Sequence, residues 1–151
     1  MASRSLRRLS MAIALGLIAA CGGKQPAVPP SATAPTVNAL EIVELQPGSG
    51  AAIAAGQKAV VQYTGWLYET AAPDKKGKEF DSSRNSAQPF KFVIGTGQVI
   101  KGWDQGVLGM KVGGRRSLTI PADLAYGDVG AGGVIPPGAT LVFDVELVAI
   151  E

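Results

Sequence analysis

Only one stretch of this chain has helical spacing, and it is crowded with glycine. Residues 97–109 read GQVIKGWDQGVLG. Ile100, Trp103, Val107 and Leu108 recur at i, i+3, i+7 and i+8, the pattern of one buried helix face. Gly97, Gly102, Gly106 and Gly109 share the segment, and a glycine inside a helix costs about 1 kcal/mol relative to alanine. A helix written this way is held by its surroundings. Gly102, Gly106 and Gly109 are read as the positions that let it approach a sheet closely, bringing Trp103 with it.

The sheet is written on either side. Strand signals lie at 40–46 (LEIVELQ), 58–68 (KAVVQYTGWLY), 90–95 (FKFVIG), 115–120 (RRSLTI) and 140–150 (TLVFDVELVAI). Several alternate with period two: Phe90, Phe92 and Ile94 share one face, as do Leu141, Phe143, Val145 and Leu147. Turn signals sit at QPGSG, PDKKGK and PPGA. One short helix among five strands predicts an α+β domain, an antiparallel sheet with one face folded over the helix. Residues 40–151 are long enough for one independent core.

Composition removes much chemistry. Histidine is absent and Cys21 is the single cysteine. That excludes a histidine general base, Ser-His and Cys-His pairs, imidazole-ligated metal, an internal disulfide and a cysteine zinc cluster. No metal and no cofactor are expected. Nucleotide binding fails on spacing. GTGQVI places Ile100 where a dinucleotide fingerprint needs its third glycine, and GQVIKGW places Trp103 where a P-loop needs lysine.

The formal charge of +2 arises at the start of the chain, where Arg4, Arg7 and Arg8 fall within ten residues. Beyond Cys21, 11 basic side chains (14 less 3) face 12 acidic ones, with no electrostatic footprint for nucleic acid. The basic stretch MASRSLRRLS precedes the apolar MAIALGLIAA. Ten apolar residues are too few to span a bilayer, which takes about 20, but they suit a secretory signal. The run IAAC resembles the lipobox of bacterial lipoproteins. That implies cleavage after residue 20, lipidation of Cys21, and a stable anchor from several acyl chains. The other reading is a secreted protein with an unmodified Cys21. Gly22, rather than aspartate, follows the cysteine, which by resemblance to enterobacterial sorting points to the outer membrane, facing the periplasm. Residues 21–39, rich in Pro, Ala, Gly, Ser and Thr, read as a tether reaching about 25 Å as a coil and about 60 Å extended.

In order along the chain, VVQYTGWL, FDSSR, PFKFVIGTGQVIKGWDQGVLGMKVGGRRSLTIP, LAYGDVG and IPPGATLVFDVEL closely resemble the FKBP-type peptidyl-prolyl isomerases. With LEIVELQPGSG these blocks cover essentially all of 40–151. The resemblance implies a five-stranded antiparallel half-barrel wrapped around one short helix. It also implies a pocket for proline floored by Trp103, with walls from Tyr63, Phe80, Phe90, Val99, Ile100 and Phe143. Asp81 and Tyr126 would give polar contacts at the rim, and Ile135 would lie in a flanking loop. The Ile100 N–H and the Tyr126 hydroxyl would donate to peptide carbonyls. Taken alone, each residue has a simpler reading: Phe90, Val99, Phe143 and Trp103 as core, Asp81 as a cap or turn, Tyr126 as an exposed turn tyrosine.

The expected activity is rotation about Xaa-Pro bonds in exported proteins, by a monomer that also takes macrolides such as tacrolimus and rapamycin. Such a reaction needs no nucleophile, metal or obligatory proton transfer. The alternatives are a non-catalytic module that grips proline segments or holds clients, and a surface interaction lipoprotein. Three departures from the family pattern stand out: Ser86 where many members carry arginine, a longer loop at 68–79, and Ala131 and Gly132 where bulkier residues often sit.

Overall fold

The computed structural model describes residues 37–151. The signal-like segment 1–20, Cys21 and nearly all of the tether lie outside the described residues.

Six strands and one helix make up the domain: β1 (Glu41–Gln46), β2 (Lys58–Tyr68), β3 (Lys76–Ser82), β4 (Phe90–Val93), α1 (Lys101–Gly106), β5 (Arg115–Ile120) and β6 (Leu141–Ile150). The sheet runs β1-β5-β6-β2-β3, with β4 also on β2, and each pairing is antiparallel. Along one side, β2 pairs β6 for most of its length. Along the other, Lys58–Val61 pair β4 and Thr64–Tyr68 pair β3. β3 and β4 therefore lie end to end in one position, so six strands fill the five positions of the expected half-barrel. Backbone bonds in both directions between Lys58 and Glu151 hold the chain's end onto the start of β2.

β3 corrects the reading of 68–79 as a loop. Residues 76–79 pair with β2, and the connection between the two strands is residues 69–75, ending in a turn at Pro73–Lys75. Its sequence KGKEFDS has one large apolar residue, so alternation does not announce it; backbone pairing with β2 makes it a strand.

The glycine-rich segment forms a helix of six residues, shorter than its spacing suggests. Gly102 and Gly106 are buried against β5. A Cβ on Gly102 would run into Ile120 Cγ2, and one on Gly106 would lie 2.7 Å from Leu118 Cδ1. Gly109 differs from the close-approach reading. Space around it is open, and its φ of +76° is what requires glycine. Leu108 also departs from expectation. The helix ends at Gly106 and Leu108 turns outward, 45% exposed, while Val107 and Met110 are buried. From β5, Arg116 donates to the carbonyls of Gly106 and Leu108, both at 3.0 Å, satisfying acceptors at the negative end of the helix.

Trp103, Val107 and Met110 pack against Phe92, Ile94, Leu118, Ile120, Leu141, Phe143, Val145 and Leu147. The β6 face read as apolar is buried throughout. Phe92 and Ile94 are buried as well, but Phe90 on the same face is partly exposed. It sits where the core opens.

Candidate functional site

That opening is a cavity of about 160 Å³ between the sheet and the start of α1. It is lined by Tyr63 of β2, Phe80 and Asp81 of β3, Phe90 of β4, and Phe143 of β6. Gln98, Val99 and Ile100 line it from the loop before α1, Trp103 from α1 itself, and Tyr126 from the loop before β6. Nine of the ten residues that the resemblance assigns to the pocket, its rim and its flanking loop are thus gathered around one space.

Ile135 is the exception. It is buried in the core and does not line the cavity. Two backbone bonds with Ala131, each 3.0 Å, brace its loop, and burial of the side chain anchors that loop to the body of the domain.

The floor is aromatic. Around the Trp103 ring stand Tyr63 at 4.9 Å and 81°, Phe143 at 5.3 Å and 88°, and Phe90 at 5.9 Å and 83°. Edge-to-face contacts of this kind set a ring's positive edge on a negative face. The Trp103 indole nitrogen is buried with no hydrogen-bond partner among the described residues. Phe80 meets Phe143 edge-on at 5.5 Å.

Gly65 makes that last pair possible. A Cβ there would lie 2.6 Å from Phe143 and 2.8 Å from Phe80. Sequence reasoning passed over Gly65, although a glycine inside the alternating strand YTGWL signals close approach or a bulge. The β2–β3 register does shift immediately after it.

The rim is polar. Tyr63 donates its hydroxyl to Asp81 Oδ2 at 2.6 Å. Burial, with the hydrogen bond to Asp81 and that residue's charge, pushes the Tyr63 phenol well above its ordinary value. Burial and the Asp81 charge also raise Tyr126. Both phenols keep their protons at neutral pH, but Tyr63 is already committed. The Tyr126 hydroxyl has no partner among the described residues, and Tyr126 lines the cavity.

Ser86 does not reach Asp81. Its hydroxyl bonds the carbonyls of Ser83 and Gln88 in its own turn, and nearby Arg84 pairs with Glu146 at 3.0 Å. Tyr63 is the group that orients Asp81. The end of β3 is fixed to β2 by Ser83 Oγ, which accepts from Tyr63 N–H at 2.8 Å and donates to Gln62 at 2.6 Å.

The loop before α1 is tied at three points. The Asp104 carboxylate accepts from Gly95 N–H and Gly97 N–H, and Gln98 Oε1 accepts from Val93 N–H at 3.0 Å. At the first turn of α1, the Ile100 carbonyl accepts from Trp103 and Asp104. The Ile100 N–H donates to no group among the described residues. Gln98 escaped the sequence reading because its position depends on that one backbone bond.

The family model for FKBP-type peptidyl-prolyl cis-trans isomerase matches residues 50–148. The chain is 50% identical over 114 residues to the FK506-binding protein of Neisseria meningitidis serogroup A, covering 76% of this chain and 98% of that protein. It is 48% identical over 113 residues to the peptidyl-prolyl cis-trans isomerase Fkbp12 of Drosophila melanogaster, covering 74% and 98%. Among solved structures it is similar to AtFKBP13, with a TM-score of 0.66, 39% identity, and coverage of 77% and 96%.

Proposed function

We infer the working of the cavity from one premise: the chain belongs to the FKBP-type peptidyl-prolyl cis-trans isomerase family and is an enzyme of that type. We propose that it lowers the rotation barrier by desolvation. Amide resonance sets that barrier at about 18–20 kcal/mol, and uncatalysed prolyl isomerisation takes about 10–100 s. Resonance places negative charge on the oxygen of the planar amide, and water stabilises this form more than the twisted one. Seating the bond over the Trp103 floor removes that water. Apolar walls that fit the twisted form then add differential binding.

The Ile100 N–H and the Tyr126 hydroxyl would hold the peptide carbonyls on either side. Asp81, fixed by Tyr63, would complete a polar rim that orients the chain. The observation that carries this reading is the buried indole of Trp103, ringed edge-on by Tyr63, Phe90 and Phe143 beneath three polar groups. The same apolar slot is proposed to take macrolides such as tacrolimus and rapamycin, in keeping with the FK506-binding names of the relatives.

The basic start, the apolar decamer and Cys21 support an exported, lipid-anchored enzyme, held at the outer membrane and acting as a monomer on proline-containing chains in the periplasm.

Exchange spectroscopy on an Xaa-Pro peptide tests the activity, using the chain from Gly22 onward, which keeps every described residue. The match covering 98% of the Neisseria protein shows this domain standing there as nearly a whole protein. Accelerated cis–trans exchange, lost in Phe143→Ala that keeps its fold, is the expected result. A folded wild-type domain that binds the peptide without accelerating exchange would instead establish a non-catalytic proline-binding module.

A further inference from the structure

Gln98 stands at the cavity with half of its carboxamide engaged. Its Oε1 accepts from Val93 N–H at 3.0 Å. Because the Val93 N–H can only donate, the atom facing it must be the oxygen, and the amide orientation is fixed by chemistry. Nε2, with two N–H donors, has no acceptor among the described residues. The backbone leading into it is held by Asp104 on Gly95 and Gly97 and by the Thr96 hydroxyl on the Val93 carbonyl at 2.9 Å. A donor pair fixed beside an apolar slot is already organised for an acceptor, so little side-chain entropy remains to be lost on binding.

Resting on the isomerase reading, we propose that Gln98 is a specificity-determining residue whose Nε2 donates to a hydrogen-bond acceptor on the substrate next to the proline. The acceptor is either a backbone carbonyl or a side-chain carboxylate. A purely structural Gln98 would need only its Oε1.

Gln98→Glu separates the two roles. Its carboxylate still accepts from Val93 N–H, so the loop keeps its tie, but an acceptor replaces the outward donor pair. KM and kcat are measured for peptides in which the residue before or after proline is Ala, Glu or Lys, in about 0.5 M salt to screen the added charge. In parallel, the Gln98 side-chain amide resonance of the wild type is followed while each peptide is titrated.

The expected result is a shifted Nε2 resonance and a KM raised about three- to tenfold, the range for a lost hydrogen bond. kcat should stay within about twofold, as for an interaction made equally in ground and transition states. An equal rise for all three residues identifies a backbone carbonyl; a rise confined to Glu peptides identifies the side chain. Unchanged KM with a silent Nε2 resonance, in a wild type that accelerates exchange, would overturn the role of Gln98 alone. A wild type that neither binds nor accelerates would overturn the isomerase reading and this one with it.

Discussion

Tyr63 donates its hydroxyl to Asp81, which leaves Tyr126 as the cavity phenol able to meet a substrate. Both phenols are raised by burial and by Asp81, and the sign of the consequence follows. Below about pH 10, the usual tyrosine value, folded and unfolded chains both hold these protons, and stability does not depend on them. As pH rises from there through the raised folded values, the unfolded chain has lost protons that the native chain keeps, and stability falls. Urea midpoints should therefore be level between pH 7 and 9 as far as these groups act, and drop above about pH 10. The drop should be shallower in Tyr63→Phe, which has one fewer raised phenol. An unchanged slope in that variant would contradict the assignment.

α1 depends on two glycines and one arginine. Gly106→Ala tests which physical effect wins there. Alanine improves helix propensity by about 1 kcal/mol, but its Cβ meets both methyls of Leu118, at 2.7 and 2.8 Å. Leu118 is completely buried and has nowhere to go, and overpacking of this kind costs about 1–3 kcal/mol. Chemical denaturation should show a net loss of about 1 kcal/mol, with weaker isomerase activity because Trp103 moves with its helix. A stabilised variant would show that propensity, not packing, limits α1. Much of this was legible beforehand. The helix announced its dependence on a sheet through glycine, and β1, β2, β4, β5 and β6 announced themselves as strand-forming runs, β4 and β6 through alternating apolar residues. β3 did not, because Lys76, Gly77, Lys78 and Glu79 carry no apolar pattern and become a strand only through β2. The cavity was legible for Trp103, Tyr63, Phe80 and Phe143 because their order along the chain carries the resemblance. It was not legible for Gln98 or Gly65, whose parts depend on one hydrogen bond and one close approach. The resemblance puts Ile135 in a loop flanking the pocket, but burial takes its side chain into the core.

At the scale of the whole molecule, the proposal joins an aromatic slot to an export signal and an anchor. Cys21→Ser separates them. Cell fractionation should find the variant released from the membrane, with kcat/KM unchanged, since the described domain holds every cavity residue. A variant still bound to membrane would contradict lipidation at Cys21. In the mechanism we propose, rotation is accelerated by removing water from the bond, with no proton moved in the rate-determining step. The measurement that reaches it most directly is the catalysed exchange rate of an Xaa-Pro peptide in H₂O and in D₂O under saturating substrate. Desolvation over Trp103 predicts a rate ratio of about 1. A ratio of about two or more would place a proton in flight in the transition state, make Tyr126 or Asp81 a general acid–base group, and contradict the account.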